Sequence, residues 1–149
     1  MLNVGDIAPD FVVRLGGGGQ FKLSNYRGQN VVLFFYPKAF TYGCTQEVGG
    51  FCDMHDHILS KNAVVLGISA DSIETLRKFA KSTQAPFGLG SDETKLVRKL
   101  YDVERRFGLG TSRVTYVIDG DGVIQGVYHN EIVMSSHIRN ALGALDALI

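Results

Sequence analysis

The chain has no tryptophan, three prolines, two cysteines and no net charge, because fifteen acidic side chains cancel fifteen basic ones. Each shortage excludes something. Two cysteines in 149 residues cannot build the disulfide framework of a small secreted protein. Balanced charge without a basic run leaves no electrostatic footprint for nucleic acid and no patch for a membrane surface. No apolar stretch approaches the roughly 18 residues of a spanning helix. The opening residues MLNVGDIAPDF lack the charged and apolar regions of a signal peptide. With no Cys-x-x-Cys, a dithiol oxidoreductase is disfavoured. The expectation is a cytoplasmic protein of one domain, residues 1–149, long enough for a full hydrophobic core.

What is present is an alternation of strands and helices. Phe11 to Leu15 and Gln20 to Leu23 read as two short strands joined by Gly16-Gly17-Gly18-Gly19, a hairpin loop without the Lys-Ser/Thr of a phosphate-binding loop. Val31 to Tyr36 and Ala63 to Ser69 are β-branched and aromatic runs, hence buried strands. Ser72 caps a helix through Leu76 and Phe79; Phe87 to Leu89 reads as a short strand, followed by a helix around Thr94 to Tyr101. Val114–Ile118 and Val123–Tyr128 flank Asp119-Gly120-Asp121-Gly122, a tight-turn signal. Ser135 to Leu148 closes the chain as an amphipathic helix. The pattern predicts an α/β sheet with helices on both faces.

Cys44 stands out. It follows the Val31–Tyr36 strand and Pro37, and the residues from Thr45 to Ser60 read as one helix. A cysteine at a helix start meets unpaired N–H groups and the positive end of the macrodipole, which favour an anion. Such a thiol is a candidate nucleophile. Cys52, His55 and Asp56 share one face of the same predicted helix, but three candidate ligands with no fourth make a poor metal site. His129 and His137 have no partner recognisable in the sequence. Neither a metal nor a cofactor is expected.

The run Pro37-Lys38-Ala39-Phe40-Thr41-Tyr42-Gly43-Cys44 resembles the peroxiredoxin active site, Pro-x-x-x-Thr/Ser-x-x-Cys. The longer segments PKAFTYGCTQE, GDIAPDF, NYRGQNVVLFFYP, VLGISADSIETLRKFA, PFGLGSDETKLVRKLYDV and SRVTYVIDGDGVI are similar to the Q-type, or bacterioferritin-comigratory, branch. The resemblance implies a thioredoxin-like fold with an N-terminal extension around a central mixed sheet. It also implies a thiol-dependent peroxidase that reduces hydrogen peroxide and organic hydroperoxides, acting as a monomer or weak dimer with thioredoxin, glutaredoxin or another thiol as reductant. Cys44 would become the sulfenic acid and Arg113 would hold the thiolate and polarise the peroxide. Thr41 would donate to the peroxide, and Pro37 would shield the sulfur. On residues alone Arg113 is a surface cation at a strand start, and Thr41 a hydrogen bonder at the start of a helix. Glu47 has two readings, an acid that orients the arginine or a first-turn acid favoured by the helix dipole.

The chain departs from the family where the Q-type resolving cysteine often stands, because that position is Gly49. Cys52 is the only other thiol. Eight helical residues span about 12 Å, whereas a disulfide needs Cα atoms within about 7 Å. A Cys44–Cys52 bond therefore requires unwinding, which Gly49-Gly50 would ease. Resolution by Cys52, by an external thiol or by an intermolecular disulfide all stay open. The other function class is a redox sensor or chaperone-like protein without turnover, and a peroxide-consumption assay separates the two.

Overall fold

Alternation along one strand decides how the chain layers. In a computed structural model, whose described residues are 1–148, β3 (Asn30–Phe35) turns Val31, Leu33 and Phe35 toward one core. Val32, Phe34 and the following Tyr36 turn toward a second core on the opposite face. A strand buried on both sides has no polar face, which is why the run lacks alternation in the sequence.

The hairpin β1 (Val12–Leu15) and β2 (Gln20–Lys22) leads into β3 through a short 3-10 turn. Helices α1 (Tyr42–Asp53) and α2 (His55–Ser60) then lead to β4 (Ala63–Ser69). Helix α3 (Ile73–Thr83), β5 (Gly88–Ser91) and α4 (Leu96–Leu100) follow, then β6 (Val114–Ile118), β7 (Ile124–His129) and α5 (Met134–Ala147). The seven strands lie in the order β2-β1-β5-β4-β3-β6-β7. Strands β3, β4 and β5 are parallel and the outer pairings antiparallel, so the sheet is mixed, as the resemblance implied.

One face is covered by α1, α2, α3 and α5 through Val48, Phe51, Ile58, Leu76, Phe79, Ile138, Ala141 and Leu145. The other is covered by α4 and the N-terminal segment, with Phe11, Phe21, Leu23, Val97 and Tyr101. Local signals place several boundaries. The Ser72 hydroxyl accepts from Thr75 N–H at 3.2 Å and starts α3. At the β6–β7 turn, Asp119 Oδ1 accepts from the N–H groups of Asp121 and Val123, and Gly122 supplies the left-handed φ of +81°.

Two boundaries differ from the sequence reading. The helix expected from Thr45 to Ser60 breaks at Met54 (φ −102°, ψ 6°), with neither proline nor glycine at the break. The helix around Thr94 to Tyr101 shrinks to Leu96–Leu100, because Asp92 accepts from the N–H groups of Val97 and Arg98 and Lys95 takes a left-handed φ of +65°. Among the described residues no helix is long and apolar enough to cross a membrane.

Candidate active site

The site forms at the carboxyl edge of the parallel strands. The last rung there is Tyr36 N–H to the Ile68 carbonyl at 3.1 Å, after which Pro37 has no N–H to give. The loop that follows is anchored from β4's end: Asp71 Oδ2 accepts from Ala39 N–H at 2.8 Å and from the Ser69 hydroxyl at 2.7 Å. Phe40 takes a left-handed φ of +65° and packs its ring edge-on to Phe79. Helix α1 starts two residues later, at Tyr42.

Cys44 is the third residue of α1 and is fully buried. The first intrahelical bond runs from Thr45 N–H to Thr41 O at 2.9 Å, so the N–H groups of residues 42–44 stay outside the ladder. The expected placement of Cys44 at a helix start is therefore what the fold contains. Thr41 holds the cap position, but its side chain makes no capping bond. Its hydroxyl donates instead to the Lys38 carbonyl at 2.8 Å, which turns oxygen lone pairs, not a proton, toward a ligand. Thr41 is thus a hydrogen bonder at the start of the helix, though through the Lys38 carbonyl rather than as an N-cap, and with its proton placed there its oxygen is left to accept.

Arg113 is not a surface cation. Antiparallel β6 pairs Val114 with Phe35, which brings the residue before β6 to the edge where β3 ends. Arg113 is 9% exposed and its Nη1 donates to Cys44 Sγ at 3.1 Å. Gly43 allows this approach, since a Cβ there would lie 2.9 Å from Arg113 Nη2. The backbone of Arg113 is pinned by Glu131, whose Oε2 accepts its N–H at 2.9 Å. Glu131 also pairs with Arg105 at 2.6 Å and His129 at 2.6 Å. Partial burial works against its charge, but these hydrogen bonds outweigh it and hold the carboxyl below its ordinary range.

Glu47 is buried on the same side of α1, the sixth residue of the helix and past its first turn, so the dipole reading fails. Its Oε1 lies 4.0 Å from Arg113 Nη1 and its Oε2 3.6 Å from His137 Nε2, and neither oxygen has a hydrogen-bond partner. Burial pushes its carboxyl up to about 8, against the pull of Arg113. His137 is fully buried, between the Thr115 hydroxyl at 2.8 Å and the Asn130 carbonyl at 2.7 Å. Tyr36 is buried with its hydroxyl unpartnered, Ser69 and Asp71 lying near enough to act on it but out of bonding geometry.

Cys52 lies outside this cluster. It is half-buried near the other end of α1, and burial together with Asp53 raises its thiol pKa. The break at Met54 separates it from His55 and Asp56, so the shared helix face imagined for a metal does not exist. Among the described residues no group of three metal-ligating side chains is assembled. Gly50 is a packing residue, since a Cβ there would stand 2.9 Å from Ile138 Cδ1, while Gly49 faces open space. A groove of about 770 Å³ runs between α1 and α5 past both glycines.

Sequence reading missed Gly43, Asp71, Glu131, His137 and Tyr36. His137 carried one signal, a histidine among the apolar positions of an amphipathic helix. The others became legible only through strand register and loop packing.

Comparison with known proteins gives a consistent result. The AhpC/TSA family matches residues 4–127. The chain is 39% identical to chloroplastic peroxiredoxin Q of Sedum lineare over 145 residues, covering 97% of this chain and 78% of that protein. Peroxidoxin BcpB of Mycobacterium tuberculosis superposes with a TM-score of 0.92 at 33% identity, covering 100% of this chain and 99% of that one. The bacterioferritin comigratory protein of Xanthomonas campestris, whose structures address its alkyl peroxide reduction activity, superposes with a TM-score of 0.86 at 28% identity. That superposition covers 93% of this chain and 91% of that one.

Proposed function

The chain belongs to the AhpC/TSA family as a Q-type peroxiredoxin, a thiol-dependent peroxidase, and on that premise we propose that Cys44 attacks the peroxide and is regenerated by an external thiol. The observation that carries this reading is the 3.1 Å contact of Arg113 Nη1 with a buried sulfur at the start of α1. The Cys44 thiolate attacks the terminal oxygen of ROOH, so that an S–O bond forms as the O–O bond breaks, giving S–OH and releasing RO⁻, which takes a proton from water to give ROH. Arg113 stays charged throughout and presents several fixed donors, suited to a transition state with negative charge on sulfur and both oxygens. Thr41, its proton committed to Lys38, accepts the O–H of the incoming peroxide and orients it. Pro37 ends β3 and keeps the loop over the sulfur in place. Glu47 stands behind Arg113, its Oε1 4.0 Å from Nη1 and without a hydrogen bond to it. Hydrogen peroxide and organic hydroperoxides are the substrates in this reading.

Resolution by a second thiol, R′SH, converts S–OH to a mixed disulfide with loss of water, and another R′SH releases the Cys44 thiol and R′SSR′. A protein thiol of the thioredoxin or glutaredoxin kind suits this step. Cys52 does not. It shares an unbroken helix with Cys44, and burial together with Asp53 raises its thiol pKa, which disfavours the thiolate.

The test pairs two variants. Cys44→Ser should consume no peroxide, and substantial activity there would end the assignment. Cys52→Ser should turn over normally with an external thiol. After one equivalent of peroxide, non-reducing mass spectrometry should find sulfenic acid on Cys44 and a free Cys52 thiol; a 44–52 disulfide would instead make Cys52 the resolving residue.

A further inference from the structure

Behind Arg113 the chain buries two ionisable side chains that no peroxide touches. Glu47 and His137 are both fully covered, with Glu47 Oε2 3.6 Å from His137 Nε2. Neither oxygen of Glu47 has a hydrogen-bond partner, so only a cation or a proton can offset a charge there. Arg113 Nη1 is 4.0 Å away, but the same nitrogen donates to Cys44 Sγ. One guanidinium faces two acids.

His137 is placed so that it can change charge without losing a bond. Its Nε2 meets the Asn130 carbonyl at 2.7 Å, which only accepts, so Nε2 carries a hydrogen in either charge state. Its Nδ1 meets the Thr115 hydroxyl at 2.8 Å. That hydroxyl donates to a neutral ring and, after rotating, accepts from a charged one.

We propose that Glu47 and His137 together hold one proton, which keeps the pair at zero net charge and leaves Arg113 to Cys44 and the peroxide. His137 is then a positioning residue, acting on the sulfur through Glu47 and Arg113. The inference rests on Cys44 being the attacking atom. The other groups facing the pair are Arg113 beside β6, Cys44 on α1, Tyr36 after β3, His129 at the end of β7 and Glu131 just past it. Glu131 is already engaged by Arg105 and His129, and burial keeps the Tyr36 phenol protonated. Burial also pushes Glu47 up to about 8 and His137 down, in both cases against charge. Arg113 is the cation 4.0 Å from Glu47, and it is shared with Cys44 Sγ.

The pH profile of Cys44 oxidation decides the matter, measured by stopped flow on the full chain with hydrogen peroxide. Wild type should slow on an alkaline limb as the pair gives up its proton and ionised Glu47 competes for Arg113. His137→Gln, which keeps a donor for the Asn130 carbonyl, should bring that limb down by about one pH unit, which makes the rate about tenfold lower at pH above both limbs. Glu47→Gln, alone or combined with His137→Gln, should show no limb in this range. A limb at the wild-type position in His137→Gln, or one that persists in Glu47→Gln, overturns the pairing. Should His137→Gln fail to fold, carbon-13 titration of the Glu47 carboxyl and the His137 ring in wild type replaces it. Neither group titrating with the limb would be equally fatal. Failure of the Cys44 assignment would show separately, as activity surviving in Cys44→Ser.

Discussion

The two faces of the sheet are built from alternate residues of the same strands, yet they treat buried polar groups differently. On the α4 face Tyr101 donates to the Pro9 carbonyl at 2.6 Å, and Tyr116 donates to the Tyr101 carbonyl at 2.7 Å while accepting from Leu2 N–H. Every phenol buried there has a partner. On the α1 face Tyr36 and both oxygens of Glu47 have none, and they surround the Cys44–Arg113 contact. Unpaired buried polar atoms cost stability. One face is optimised for folding, and the other gives up part of that stability to hold charge and protons near a sulfur. The difference locates the chemistry before any family is considered.

Substitutions can break or sharpen that contrast. The largest effect belongs to Arg113→Ala, which should slow the first oxidation of Cys44 by about a thousandfold, roughly 4 kcal/mol, while leaving the fold intact. A near-normal single-turnover rate would return Arg113 to the role of a partly buried structural cation. Glu47→Gln comes next, read through stability. The folded carboxyl titrates at about 8, above its ordinary 4.5. Between those values the unfolded chain has released a proton the native state keeps, so this group's contribution, full below about 4.5, is lost as pH rises through about 8. Relative to wild type, the glutamine variant should gain about 1.4 kcal/mol for each pH unit climbed in that window. Denaturant melts at pH 5 and pH 8 showing the same difference would mean that Glu47 is ionised in the fold.

The phenols give a smaller, oppositely signed pair. Tyr116→Phe strands the Tyr101 carbonyl and the Leu2 N–H and should cost about 1–2 kcal/mol with peroxidase activity kept. Tyr36→Phe removes an unpartnered hydroxyl and should leave stability unchanged or raise it by about 1 kcal/mol. Equal losses in both would erase the distinction between the faces. The smallest effect is expected for Gly49→Ala, which has open space for its Cβ and should stabilise α1 by about 1 kcal/mol. Turnover with an external thiol should not change. A severalfold slower resolution would show that α1 must open. Gly50→Ala is not an equivalent test, because its Cβ presses on Ile138.

The sequence by itself determined the order of elements, the Ser72 cap, the Asp119–Gly122 turn and the placement of Cys44 at a helix start. Each of these depends on residues within a few positions of one another, through φ/ψ limits, capping bonds and apolar period. Strand register decided the rest. Arg113 is 69 residues from Cys44, and they meet because Val114 pairs with Phe35. Glu131 reaches the backbone of Arg113 because β7 ends where β6 begins, at the Val114–His129 pair. His137 meets Glu47 because α5 packs along α1, with Ile138 over Gly50. The break at Met54, which removed the imagined metal face, has no local sign at all. Long-range pairing is set by the burial of both faces at once, a property of the assembled sheet and of no single segment, so Cys44 at a helix start was legible in one dimension and the groups that meet around it only in three.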